Sequence, residues 1–510
     1  MLPELDRVLR LPKREPVTEA QIDLLSAHLR VRERDDQGRP NRLRPGQVTA
    51  LRELYDLGGM VGPIPVGEGK TLITLLAPTL LKAQRPVLIV PASLREKTRR
   101  DFHDYSRNWK VRLPTILSYT EMALADRERK LFELLPDLLM LDEADGIRNY
   151  DNACARRIER YVHTHRPVFA ALSGTLLTDQ LADYQHHTAW ALWERAPVPL
   201  ARGLVDRWQD DPPPGYHDLV RDARGVVPLA GSGCGASIQI STWSPDLPGE
   251  IKDLIAEVAD TKLRPDGEPL DDWSLPDCLC ALVMGYYLVW DPLPPTWWLQ
   301  PRRAWWAYVR AVLEERIEGF DTSGQIIAAL DDAAPLHRPP AMHEGRILLA
   351  AWRAVEEQFT PNPKPIWISD DPIKQAIKRA GKGCLIWTKH TAEGEAMQRL
   401  GVAHYGGGTS PELARPGDTI SVSLPAHHRG CNLQRGWSRN LILAPPADAR
   451  IWEQLIGRTH RQGQIASRVD VEIVSAIPYH EDVLQRARAQ AARIGRASGF
   501  AQKISLADWV

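Results

Sequence analysis

The stretch Pro65-Val66-Gly67-Glu68-Gly69-Lys70-Thr71, followed at once by the apolar run Leu72 to Leu81, constrains the fold more than any other feature of the chain. Two closely spaced glycines let a backbone turn tightly with its N–H groups inward, and the helix predicted by the apolar run adds the positive end of its dipole. Such a loop holds polyphosphate, with Lys70 placed for the β- and γ-phosphates and the Thr71 hydroxyl for Mg²⁺. The full pattern has a glycine where Ile64 stands here. A glycine-rich turn that merely opens a helix is the alternative, and the other motifs decide between the two.

A chain of 510 residues is too long for one core and implies two or three domains. Its 64 Lys and Arg nearly cancel its 65 Asp and Glu, so bulk charge neither advertises nor excludes a nucleic-acid partner, which a local basic groove can still bind. The 6 cysteines are scattered with no Cys-x-x-Cys pair, which suggests reduced structural thiols rather than a zinc site. Met1 to Arg14 lacks a signal-peptide core, and the apolar run Cys278 to Trp290 is too short to span a bilayer. The expectation is a soluble cytoplasmic protein, with no membrane partner and no need to be more than a monomer.

The segment before the loop contains Arg42-Leu43-Arg44-Pro45-Gly46-Gln47 and a helical pattern over Val48 to Leu57. The amide of Gln47 can donate and accept at once on an adenine edge, although a solvated helix-start glutamine reads the same way. Beyond the loop, short apolar runs bounded by Pro or polar residues predict strands at Pro86–Pro91, Ile116–Met122, Leu138–Leu141 and Pro167–Leu172. Each ends in polar residues: Ser93 and Arg95, Ser118 and Tyr119, Asp142-Glu143-Ala144-Asp145, and Ser173-Gly174-Thr175. In the acid pair, Asp142 suits Mg²⁺ and Glu143 suits orienting and deprotonating water. Ser173, Gly174 and Thr175 form a small hydroxyl-bearing turn suited to sensing phosphate beside that pair, or simply a Ser/Gly turn.

From about 183 to 365 the chain is rich in Pro and Trp, with breaks at Pro212 to Gly215 and Gly231 to Gly235 and helical patterns over Arg302 to Ile317 and Glu344 to Phe359. Most of its tryptophans, Trp190, Trp193, Trp208 and Trp273 among them, read as core; Trp297-Trp298 and Trp305-Trp306, beside Arg302 and Arg303, suit stacking on bases. Alternating strands and helices resume near 365, with strands at Gly383–Thr388, Thr419–Ser423 and Asn440–Ala444 and a helix over Ala392–Leu400. Gly430 and Asn432 lie between the last two strands, and Gln454, Arg458 and Arg461 follow them. Arg458 and Arg461 stand three apart, a spacing that on a helix puts both on one face towards a γ-phosphate.

In this order the motifs resemble those of the superfamily-two nucleic-acid-stimulated ATPases, and within them the Swi/Snf-like branch, over residues 42 to 475. Leu43-Arg44-Pro45 with Gln47, Ser118-Tyr119 and the ending His460-Arg461-Gln462-Gly463-Gln464 carry the branch; Asp142 to Asp145 spell the DEAD box of RNA helicases, whose last motif opens with His-Arg where Gln454 stands here. The compact length is similar to enzymes of phages and prophages. The resemblance implies an α/β fold of two RecA-like parallel-sheet lobes with a mainly helical, Trp-rich insertion. The implied division is a helical preface over 1–40, lobe one over 41–199, the insertion over 200–364, lobe two over 365–480 and a helical tail over 481–510.

It also implies Mg²⁺ and ATP between the lobes, bound through Gln47, Gly67, Glu68, Gly69, Lys70, Thr71, Asp142 and Glu143 and completed by Gln454, Arg458 and Arg461. Nucleic acid would lie near Ser93, Arg95, Ser118, Tyr119, Thr388, Gly430 and Asn432. The implied activity is ATP-driven DNA translocation or unwinding, on duplex or single strands. The alternatives are an RNA helicase, a binding scaffold with weak ATPase, or a P-loop kinase or transporter-type ATPase, and a protein partner could dock on the Trp-rich insertion.

Overall fold

The structure is a computed structural model that describes residues 2–510 except 66, 128, 151, 179, 211, 230–233, 271–273, 316, 318–319, 333–334, 336 and 361. Val66 of the loop, the start of the Gly231 to Gly235 break and Trp273 therefore lie outside the described residues. The chain divides into two compact units, Met1–Gly231 with Gln300–Val355 and Arg493–Phe500, and Ser232–Leu299 with Glu356–Ala492 and Ala501–Val510. Each is a RecA-like α/β lobe built on its own parallel sheet.

In the first unit the strands β1 (Gly59–Pro63), β2 (Pro86–Val90), β3 (Thr115–Ser118), β4 (Leu138–Asp142) and β5 (Val168–Ser173) lie in the order β1-β5-β4-β2-β3, all parallel. Successive side chains of a strand point to opposite faces, and these strands are apolar on both. Met60, Leu88, Val90, Leu138, Met140 and Leu172 enter a core with Val48, Leu51, Ile73 and Leu76 from the helices Pro45–Leu57 and Lys70–Leu80. Val61, Val87, Ile89, Leu139, Leu141 and Phe169 enter the opposite core, with Ile158 and Val162 of the Ala153–His165 helix and Trp190. Sequence reasoning misses β1 because Gly-Met-Val-Gly-Pro is punctuated like a loop. Gly59 is there because a Cβ would stand 1.8 Å from the Ala191 carbonyl oxygen.

The second unit has a sheet of seven strands in the order β10-β11-β9-β12-β13-β6-β14, again all parallel. They are β6 (Ser237–Trp243), β9 (Cys384–Thr388), β10 (His404–Tyr405), β11 (Ile420–Ser423), β12 (Arg439–Ile442), β13 (Arg468–Val474) and β14 (Asp508–Trp509). A separate antiparallel ribbon joins β7 (Tyr286–Trp290) to β8 (Pro363–Trp367).

Residues 200–364 are not one inserted body. Trp208, Tyr216 and Val220 belong to a core of the first unit, whereas β6 lies inside the second sheet beside β13. Gln300–Val355 returns to the first unit, where Asp321 is buried against Arg157 and Arg160 of the Ala153–His165 helix. Nor are the ends separate: Ile22 and Leu29 of the preface are core residues of the first unit, and the tail supplies β14 to the second sheet. Trp298 and Trp305 are core (5% and 1% exposed) and Trp297 and Trp306 are half exposed (49% and 40%), so each pair divides between packing and surface. Among the described residues, no helix is long and apolar enough to cross a membrane.

Candidate nucleotide site

The polar ends of the first unit's strands gather at the carboxyl edge of its sheet, where loops of open parallel sheets bind ligands. Gly69, with φ of 85°, precedes the Lys70–Leu80 helix as its N-cap, and Gly67 has φ of 96°. A side chain at Gly69 would meet Gln47, whose Nε2 stands 2.2 Å from the would-be Cβ. The Oε1 of Gln47 accepts the Arg44 N–H at 3.0 Å, while the Arg44 guanidinium donates to Glu68 (3.2 Å) and to the Gly67 carbonyl (3.4 Å). The loop is thus fastened to the Pro45–Leu57 helix through Arg44 and Gln47. The leucine-arginine-proline motif pointed to Arg44 but gave it no role.

Lys70 reaches across to the acid pair, its Nζ donating to Glu143 Oε1 at 2.8 Å with both side chains buried. Asp142 ends β4 and is also buried; burial and the Glu143 carboxylate push its carboxyl up to about 6, against the pull of Lys70 and Lys97. Ser173 ends β5, one strand away, and donates to Asp145 Oδ1 (2.8 Å) and Glu143 Oε2 (3.3 Å). Its oxygen accepts the Thr175 N–H at 3.2 Å, and Gly174 forms the turn between them. Lys70, Asp142, Glu143, Ser173 and Thr175 therefore form one connected cluster. Asp145 closes it, and in the sequence it stands only as the last letter of the motif.

This donor set fits a magnesium nucleotide. Lys70 and the unpaired first-turn N–H groups of a helix suit phosphate oxygens. Thr71 and Asp142 offer the hard oxygen donors Mg²⁺ prefers, and that ion takes its other ligands from water and phosphate. Among the described residues, no group of three or more His, Cys, Asp or Glu converges as a metal cage.

In the second unit the helix Ala449–Ile456 carries Gln454 but ends before the arginines. Arg458 and Arg461 are thus not on one helix face: the chain turns at Gly457 to Thr459, and each arginine takes its own partners. Arg458 is buried, donating to Gln454 Oε1 (2.9 Å), the Gln454 carbonyl (2.8 Å) and the Cys431 carbonyl (3.0 Å). Arg461 donates to the Asn432 side chain. Gln464 fixes the turn by donating to the Trp437 and Thr459 carbonyls (2.9 and 3.0 Å).

The residues expected to contact nucleic acid are dispersed in their surroundings. Ser93 is exposed, and Arg95 is half-buried in a pair with Glu121 at 3.4 Å. Asn432 is exposed, its N–H held by Glu412 at 2.6 Å, and Gly430 has φ of 90°. Thr388 and Ser118 are buried with their hydroxyls engaged: Thr388 donates to the Val422 carbonyl (3.4 Å), and Ser118 accepts the Glu121 N–H (3.1 Å). Tyr119 directs its hydroxyl inward, onto the Asp142 carbonyl at 3.0 Å.

A glycine-loop lysine and an acid pair at the carboxyl edge of a parallel sheet, with a second parallel sheet in the same chain, define a two-lobed α/β protein with a candidate phosphate site. No family model matches the chain, and no curated protein matches it. Among solved structures it is similar to the Sulfolobus solfataricus SWI2/SNF2 ATPase core in complex with dsDNA, at 14% identity over 90% of this chain and 93% of that one, with a TM-score of 0.33. So distant a likeness assigns no residue a role.

Proposed function

We propose that this protein hydrolyses ATP at the Lys70–Asp142–Glu143 cluster and couples hydrolysis to movement on DNA. The observation that carries the reading is the buried contact of Lys70 Nζ with Glu143 Oε1 at 2.8 Å, beside an Asp142 carboxyl raised to about 6. A lysine of a glycine loop bonded to the second acid of a strand-end pair brings together the two groups phosphoryl transfer to water requires, a cation for the phosphate and a base for the water. Phosphate oxygens compete with Glu143 for Lys70, and a Glu143 released from its cation is a better acceptor for a water proton. Bound Mg²⁺, held by Thr71 and Asp142, would neutralise charge on the phosphates. Gln47 and Arg44 would hold the loop, with Gln47 near the base.

Gln454, Arg458 and Arg461 are proposed as further residues of the reaction, the arginines to stabilise charge on the phosphoryl group in transfer. DNA is favoured over RNA by the Gln454 to Gln464 segment and by Leu43-Arg44-Pro45 with Gln47, whose order in the chain matches the Swi/Snf-like branch. Among the proposed polymer contacts, Ser93, Arg95, Gly430 and Asn432 are at least partly exposed.

The test is steady-state ATP hydrolysis without polymer and with single-stranded DNA, duplex DNA or RNA, at low and higher salt because phosphate contacts weaken as salt rises. Stimulation by duplex DNA is expected. Stimulation by RNA alone would overturn the choice of polymer, and no hydrolysis under any condition would overturn the ATPase.

A further inference from the structure

The acid pair sits at a break in its sheet. β2 pairs with β4 only as far as Ile89 opposite Leu141, while β5 continues one residue further, to Leu172 opposite Asp142. Asp142 therefore has a strand neighbour on one side only. The next residue, Glu143, has φ of 52°, a left-handed backbone that costs a residue with a Cβ about 1 kcal/mol or more. A segment that is unpaired on one side and strained at its next residue needs an outside hold to keep a single geometry.

Tyr119 supplies it from two directions. It follows directly on β3, beyond β2, and its hydroxyl donates to the Asp142 carbonyl at 3.0 Å. Its ring lies over Gly146, whose would-be Cβ is 3.5 Å from the ring edge, and the Gly146 N–H in turn donates to the Glu143 carbonyl at 3.0 Å. One side chain thus bonds one end of the turn that presents Glu143 and lies beside the other.

We propose that Tyr119 is a positioning residue for the acid pair: by clamping the Asp142 carbonyl and the Gly146 end of the turn, it fixes the direction in which Glu143 presents its carboxylate. The inference rests on the ATPase reading for its kinetic consequence and on the fold alone for its structural one.

Tyr119→Phe keeps the ring and removes only the hydroxyl. Losing one hydrogen bond that directs the base is expected to lower kcat about tenfold while the KM for ATP changes less than about twofold. Thermal midpoints should stay within a few degrees of the parent. The second readout needs no turnover: amide hydrogen exchange over residues 142–147, followed by mass spectrometry, should speed up in Tyr119→Phe while exchange in the strands of the first unit stays at the parental rate. Unchanged kcat with unchanged exchange over residues 142–147 would overturn the clamp. A parent that does not hydrolyse ATP would overturn the ATPase reading, and the exchange of the turn would still decide the clamp.

Discussion

Lys70 and Glu143 form an ion pair of 2.8 Å whose side chains are 8% and 9% exposed, and Asp142 packs beside them as a second buried carboxyl. The two members of the pair are not equivalent. Removing Lys70 leaves two buried acids without their cation, whereas neutralising Glu143 also relieves its repulsion of Asp142.

Lys70→Ala is therefore expected to destabilise the first unit by about 3–5 kcal/mol at neutral pH, the usual cost of stranding a buried charge. Glu143→Gln should cost well under half as much. Denaturant midpoints of the two variants check this order, and the reverse order would show that the pair is not coupled to Asp142. Both variants should lose ATP hydrolysis, by at least about a hundredfold for Glu143→Gln if Glu143 acts as a general base.

The raised Asp142 carboxyl sets a pH dependence with opposite signs for stability and activity. Its folded-state value of about 6 lies above its ordinary 3.8, so its contribution to stability is full below about 4 and is lost as pH rises through 6. Binding Mg²⁺ needs the ionised form, so kcat/KM for ATP should climb as pH rises through about 6. More Mg²⁺ should move that limb to lower pH, because the cation competes with the proton. A limb indifferent to Mg²⁺ would assign the titration to another group.

Asp321 fastens Gln300–Val355 to the core of the first unit, 1% exposed and 3.6 Å from the Nε of Arg157, with Arg160 donating to it at 3.0 Å. Asp321→Ala removes the carboxylate that faces the buried Arg157 and is expected to cost about 3–5 kcal/mol. Limited proteolysis should then cut within Gln300–Val355 before the remainder of the unit, a pattern the parent would not show.

Lys503 binds Glu453 through both its ammonium (2.6 Å) and its backbone N–H (2.7 Å), and Glu453 neighbours Gln454 on the Ala449–Ile456 helix. Deleting 501–510 leaves Glu453 buried and unpaired and uncovers the edge of β6 that β14 pairs with. The truncated chain should melt lower and turn over ATP more slowly, whereas the full chain carrying Lys503→Arg should keep part of both. Parental melting in the truncated chain would contradict this role.

What could be read from the sequence follows from what is local. Loop, strand and acid pair are contiguous residues with their own periodicity, so Lys70, Asp142 and Glu143 were identifiable, as were the apolar strands that carry them. The punctuated β1 and the late strand β6 were not, because their pairing partners, Phe169 and Val469 among them, are far away in sequence. The paired arginines misled for the same reason: a spacing of three reads as one helix face, but the helix stops at Ile456 and distant carbonyls such as Cys431 recruit the guanidinium. Tyr119 looked like a surface contact because nothing in the sequence shows that its hydroxyl finds Asp142.

The most direct measurement is steady-state ATP hydrolysis by the parent and Glu143→Gln side by side, each with and without saturating duplex DNA. The expected result is a parental rate that rises with DNA and a variant rate near background under both conditions. Equal rates for parent and variant, or a parental rate unmoved by any duplex, would contradict a DNA-stimulated ATPase built on Lys70 and Glu143.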